Sequence, residues 1–197
     1  DINLGCPFPL LAKRHNGSGI LPYPDEVKTL LGLTLKYPQI SFSVKMRLGW
    51  ENPDECLQLA PILNDLPLRH ITMHPRLGKQ QYKGSVDLNG FDAFLNVCQH
   101  PLIYNGDINC PDDVHRIRQQ FPALAGVMIG RGLLANPALA LEYRQNRALE
   151  FDEMREKLQS MHKCVYNQYA EQLEGGDEQL LNKMKTFWEY LMPQADR

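Results

Sequence analysis

Short apolar runs recur along this chain, and each one ends on glycine or polar residues. Asp1–Leu4 runs into Gly5-Cys6-Pro7, FSVKM into Arg47, and HITM into His74. LIY runs into Asn105-Gly106-Asp107, and GVMI into Gly130-Arg131-Gly132. Between these runs the apolar residues fall at helical spacing. Over 25–37, Val27, Leu30, Leu31 and Leu35 share one side, and Pro24 and Asp25 suit a helix start. Further helices are expected over 53–66, 90–98, 111–121 and 137–143, with Asp54 and Glu55 opening one and Pro111 another. The strand patterns, 1–4, 41–47, 70–74, 102–105 and 126–130, are thus spaced like successive βα units. Serial right-handed βα units build a parallel sheet, either open or closed.

An open doubly wound sheet carries one glycine fingerprint near its first turn, and GxGxxG is absent here. Polar and glycine residues instead close every strand. That is the pattern of a barrel whose site gathers the C-terminal ends of its strands. The expected class is therefore α/β, the C-terminal portion (about strands 4–8) of a TIM (β/α)8 barrel. With 102–105 and 126–130 as strands seven and eight, 1–4 is the end of strand four. From Phe151 the pattern changes, and 153–172 and 179–191 read as helices separated by Gly175-Gly176. Met154, Leu158, Met161, Val165 and Tyr169 form one apolar stripe, and Leu180, Met184, Phe187, Trp188 and Leu191 form another. The expected domains are a partial barrel over 1–148 and the start of an all-α domain over 149–197.

With 197 residues, 43% of them hydrophobic, the chain can bury one substantial core. No apolar run approaches a membrane span. A formal charge of −2 gives no global pull toward nucleic acid, so any such binding must come from local basic patches. Five scattered cysteines, with no CxxC or Cys/His spacing, point to reduced thiols and to no metal.

Cys6 sits between Gly5 and Pro7. Pro7 lacks an N–H and stops the ladder, while Gly5 lets the backbone turn sharply and approach a ligand. A thiol there opens onto the mouth of a barrel. The commoner fate of a free cysteine is a small buried hydrophobe, the reading given to Cys56, Cys98, Cys110 and Cys164. Lys45 and Arg47 share one strand face, where two cations need anionic or polar partners if they are buried; the alternative is an exposed edge strand. His74 and Arg76, followed by Lys79 and Lys83, suggest an anion contact rather than simple turn bonding. Tyr82 in the same loop either stacks on a base or packs the loop onto the rim. Asn105-Gly106-Asp107 and Gly130-Arg131-Gly132 offer backbone N–H groups and an arginine fork to a phosphate. Each is also ordinary turn chemistry.

Taken in order, NLGCPFP, KMRLG, MHPR with QQYKG, YNGDI and MIGRG resemble the tRNA-dihydrouridine synthases. These are FMN enzymes with a barrel and a C-terminal helical domain, and KTFWEYL is similar to a helix of that domain. The resemblance covers nearly the whole chain. It implies FMN as cofactor, NADPH as electron donor and tRNA as partner, in a cytoplasmic, monomeric protein without metal or membrane contact. It makes Cys6 the proton donor. It assigns Lys45, His74, Asn105, Gly106, Asp107, Gly130 and Arg131 to FMN, the later ones at its phosphate. Asn3, Arg47, Arg76 and Tyr82 fall to the neighbourhood of the target base. Pro75 departs from a glycine common in the family, and the family's first strands are expected upstream of Asp1.

The implied reaction is the reduction of uridine in tRNA to 5,6-dihydrouridine. Hydride reaches carbon 6 of the uracil, and Cys6 protonates carbon 5 from the opposite side. A thiol with a pKa near 8.5 is mostly protonated at neutral pH and can serve as the acid. Lys13, Arg14, Lys79, Lys83, Lys183 and Lys185 are candidates for the tRNA backbone. Two other expectations stand beside this one. One is an FMN barrel acting on a free pyrimidine, as a dihydroorotate dehydrogenase does. The other is an inactive RNA-binding fragment.

Overall fold

The computed structural model describes residues 1–191, the side chain of Phe187 excepted, so the place of Phe187 in its stripe lies outside the described residues. Five strands are described: β1 (Ile2–Leu4), β2 (Phe42–Gly49), β3 (Leu68–Leu77), β4 (Leu102–Asn105) and β5 (Gly126–Met128). The helices are α1 (Pro9–Ala12), α2 (Pro24–Gly32), α3 (Glu55–Asn64), α4 (Leu88–Val97), α5 (Pro111–Gln120), α6 (Arg131–Ala135), α7 (Leu139–Gln145), α8 (Phe151–Gln172) and α9 (Gly176–Glu189). Two 3₁₀ turns, Gly17–Ile20 and Leu33–Lys36, flank α2. None of the described helices is long and apolar enough to cross a membrane. The chain divides into two compact units, Asp1–Gly106 with Gln120–Met128, and Asp107–Gln119 with Ile129–Arg197.

The first unit holds the whole sheet. Its order is β1-β2-β3-β4-β5, and every neighbouring pair is parallel. Each strand therefore pairs with the next in sequence, as the strands of a (β/α)8 barrel do. Register and alternation separate two faces. Leu4, Val44, Met46, Leu48, Ile71, Met73, Leu102 and Tyr104 fall on one face, and all are buried. Phe91 of α4 meets Tyr104 edge-on at 5.1 Å, so this is the face that the helices cover. Val27, Leu31, Leu59, Leu63 and Phe94 complete that core. The opposite face carries Asn3, Lys45, Arg47, Thr72, His74, Arg76 and Asn105. Cross-strand pairing sets Asn3 beside Lys45, Lys45 beside Thr72, and Arg47 beside His74.

Local chemistry explains the element ends. Pro24 opens α2, with Asp25 and Glu26 in its first turn. The expected single helix over 25–37 tightens after Gly32 into a 3₁₀ turn, where the Thr34 hydroxyl donates to Leu31 O at 2.7 Å. Asp87 caps α4 by accepting from Gly90 N at 2.9 Å. The Glu55 carboxylate accepts from the N–H groups of Trp50, Glu51 and Asn52 and so closes the loop between β2 and α3.

In the second unit, Asp113 accepts from Asn109 N and Cys110 N at the head of α5. Gly132 is required by crowding, since a Cβ there would fall 2.1 Å from Ile108 O. A reciprocal box between Glu150 and Glu153 caps α8. The expected stripe Met154, Leu158, Met161, Val165 and Tyr169 is half-buried, and Leu180, Met184 and Leu191 are buried. Trp188 Nε1 donates to His162 Nδ1 at 3.0 Å, tying α9 to α8. The expected strand over 126–130 stops at Met128, because the chain enters α6 at Arg131. Gly130-Arg131-Gly132 therefore opens a short helix rather than forming a free turn.

Candidate functional site

Cys6 follows β1 on a backbone fixed from three directions. The Asn3 side-chain oxygen accepts from Gly5 N at 2.9 Å and Cys6 N at 3.0 Å. Arg47 Nε donates to Gly5 O at 3.0 Å. Ser18 donates to Cys6 O twice, from its N at 2.9 Å and its hydroxyl at 3.0 Å. The thiol is free and half-buried.

Lys45 is half-buried on the sheet face that carries Asn3 and Arg47. Burial lowers its pKa, the Arg47 charge lowers it further, and Cys6 pulls the other way. Among the described residues Lys45 has no hydrogen-bond or ion-pair partner. Beside it in register, the Thr72 side chain is fully buried, and its hydroxyl has no partner among the described residues. A buried orphan hydroxyl is costly unless a ligand or water answers it.

Arg47 behaves differently. Only 1% exposed, it donates from Nη1 to Leu77 O at 2.9 Å and Gln81 O at 2.6 Å, besides its bond to Gly5. Its guanidinium lies 5.5 Å from the centre of the Tyr82 ring. Burial lowers its pKa most, Arg76 adds to this, and Tyr82 and Cys6 oppose it. Arg76 is also buried. It meets His74 Nε2 at 3.1 Å and donates to Gly84 O at 2.6 Å. The two arginines thus hold from inside the loop that carries exposed Tyr82. Pro75, the departure noted above, keeps a useful carbonyl, which accepts from Asp87 N at 2.8 Å.

Asn105 Nδ2 donates to Met128 O at 2.8 Å and so joins β4 to β5. Gly106 has a φ of +152°, and a Cβ there would come within 2.9 Å of Val86 and 3.2 Å of the His74 ring. In the second unit, Asp107 and Arg131 form an ion pair at 3.7 Å, and the space beside Gly130 is open. The first unit therefore brings together Asn3, Cys6, Lys45, Arg47, His74, Arg76 and Tyr82, while Asp107, Gly130 and Arg131 belong to the second.

Sequence reasoning missed Thr72, Gly17 and Ser18. Thr72 was findable, because the alternation in HITMHPR puts it on the face of His74. Ser18 was not, because its partner lies twelve residues back.

The half-buried unpartnered amine and the orphan hydroxyl suit a polar, hydrogen-bonding ligand. Among the described residues no cluster of His, Cys, Asp and Glu could hold a metal. The model of the dihydrouridine synthase (Dus) family matches residues 1–195. A tRNA-dihydrouridine synthase B of Pasteurella multocida is 33% identical over 140 residues, 71% of this chain and 42% of that protein. A probable tRNA-dihydrouridine synthase of Rhizobium leguminosarum is 36% identical over 138 residues, 70% of this chain and 43% of that protein. A tRNA-dihydrouridine synthase B of Shewanella oneidensis is 27% identical over 96% of this chain and 56% of its own length. The chain spans about half the length of the curated relatives it matches. Over residues 1–195 it matches along nearly its whole length, and it belongs to the dihydrouridine synthase family.

Proposed function

We propose that the protein carrying this chain reduces uridine in tRNA to 5,6-dihydrouridine, with FMN as cofactor and NADPH as electron donor. Lys45, His74, Asn105 and Gly106 would hold FMN, which when bound and reduced would supply the hydride for carbon 6 of the uracil ring. Cys6 holds the matching proton on Sγ and delivers it to carbon 5, and the thiolate left behind regains a proton from solvent. One hydride and one proton account for the two hydrogens added. The base leaves the tRNA stack to reach the thiol. The observation that carries the reading is the Cys6 backbone fixed by Asn3, Ser18 and Arg47, the last of which shares the sheet face of Lys45 and Thr72.

In the first unit, Lys45, His74, Asn105 and Gly106 are assigned to the flavin. In the second, Asp107, Gly130 and Arg131 are proposed as contacts for a phosphate. Asn3 and Tyr82 neighbour the base. Arg47 serves the base through the loop it holds, since carbonyls take up its donors, and Arg76 helps to hold that loop through Gly84 O. The helical segment 149–197 is proposed as part of a tRNA-binding domain, with exposed Lys183 and Lys185 facing phosphates. The test is Cys6→Ala in the full-length protein. Flavin binding is expected to persist and dihydrouridine formation to be lost. Normal product levels in that variant would refute the reading.

A further inference from the structure

We propose that Ser18 is a positioning residue for the Cys6 thiol, acting as a two-donor clamp on the Cys6 carbonyl. The proposal rests on the role given to Cys6 above. A carbonyl oxygen has two lone pairs, and the Ser18 N–H and hydroxyl occupy both, at 2.9 and 3.0 Å. The peptide plane ahead of Cys6 is fixed by Asn3 and Arg47. The plane after it is fixed by Ser18. With both planes held, rotation about χ1 is the freedom left to Sγ.

The clamp is itself anchored. Ser18 is fully buried, in the 3₁₀ turn Gly17–Ile20. Gly17 adopts a left-handed φ of +59°, and a Cβ there would fall 2.5 Å from Cys6 O and 2.9 Å from Cys6 Cβ. Gly17 therefore also crowds the carbon from which the thiol swings. Gly19 lies against α1, where a Cβ would sit 2.4 Å from Ala12 Cα. On the other side the Ser18 hydroxyl abuts Gly78, past the end of β3. Asn16-Gly17-Ser18-Gly19 thus closes a circuit from the Cys6 loop through α1 and back to Cys6. An ordinary turn needs neither a fully buried serine nor two glycines pressed on other backbone. Proton delivery to one carbon depends on placement, because a shift of about 1 Å costs about a hundredfold in rate.

The experiment uses the full-length protein with its flavin. Ser18→Ala removes the hydroxyl and leaves the backbone donor in place. The expected result is parental flavin content and an unchanged KM for tRNA, with kcat lowered about tenfold or more. The rate of Cys6 alkylation by iodoacetamide, followed by mass spectrometry, is expected to change by more than about twofold. A kcat and an alkylation rate both matching the parent overturn the proposal. Flavin loss with a parallel rise in KM overturns it too, since that marks general loosening. If Cys6→Ala proves active, the reaction assignment fails instead, and the alkylation rate in Ser18→Ala alone upholds or overturns the clamp.

Discussion

Replacing Arg47 by methionine tests whether this side chain holds the fold rather than the ligand. Methionine keeps roughly the length and apolar bulk and deletes every donor. Three carbonyls lose a charged partner: Gly5 O, which is buried, and Leu77 O and Gln81 O, which water can partly reach. Leaving the first unanswered costs about 1–3 kcal/mol, and the other two about 0.5–1.5 kcal/mol each. The variant recovers only a small part of this, because the buried guanidinium is already answered by three carbonyls. It also relieves Lys45 of a like charge. Those offsets are incomplete, because three carbonyls lose their charged donor and the Tyr82 ring loses the guanidinium beside it. The net expectation is a loss of about 2–4 kcal/mol, a large part of the roughly 5–15 kcal/mol that holds a domain folded. Urea unfolding reads the loss as a lower midpoint, and amide exchange reads it locally over 78–86. Arg47→Lys keeps the charge but not the fork, and falls between the two. If Arg47→Met unfolds within about 0.5 kcal/mol of the parent and exchange over 78–86 is unchanged, the loop-holding role is wrong.

Two further outcomes follow from titrating groups. Burial pushes the Cys56 thiol up to about 12 and raises Cys98, so native alkylation at pH 7.5 is expected to spare Cys56, slow Cys98 and strike exposed Cys110 and Cys164 early. Peptide mass spectrometry checks this, and native labelling of Cys56 as fast as Cys110 contradicts it. Burial works against ionisation of Asp113, but Asn109 N, Arg116 and Cys110 outweigh it and hold the carboxyl below its usual 3.8. The unfolded chain therefore takes up that proton first. The contribution of Asp113 is present above the usual value and fades as pH falls through the lowered one, so thermal scans from pH 5 down to 3 are expected to separate Asp113→Asn from the parent least at the acid end.

The barrel-type sheet was legible because its signals are local. Strand patterns alternate, and their polar ends recur with the period of a βα unit. Apolar spacing placed α2 to α5 within a few residues, and 102–105 matches β4 end to end. What escaped depends on distant partners. The turn Gly17–Ile20 has no apolar period of its own and exists because it packs against Cys6 and Ala12. The five residues of α6 are too few to show periodicity. β3 runs on to Leu77, past the expected end at His74, because its ladder with β2 continues to Gly49. Proline at 75 concealed that continuation, although its missing N–H is the only donor the ladder loses.

The same distinction decides which polar residues on the inner face remain for a ligand. Lys45 and Arg47 stand two apart on one strand and look alike in the sequence. Arg47 is satisfied by carbonyls of Gly5, Leu77 and Gln81, which no local pattern relates to it. Arg76 is satisfied in part by Gly84 O and His74. Lys45 has no such partner among the described residues, and the Thr72 hydroxyl beside it has none either. Burial disfavours the charge on Lys45, so an anionic or hydrogen-bonding ligand placed there recovers what the fold leaves unmet. Arg47 cannot make that offer without releasing the loop that carries Tyr82. The face is therefore split by function: buried Arg47 fixes the wall that carries Tyr82, while half-buried Lys45 and the orphan Thr72 hydroxyl are left for a ligand to answer.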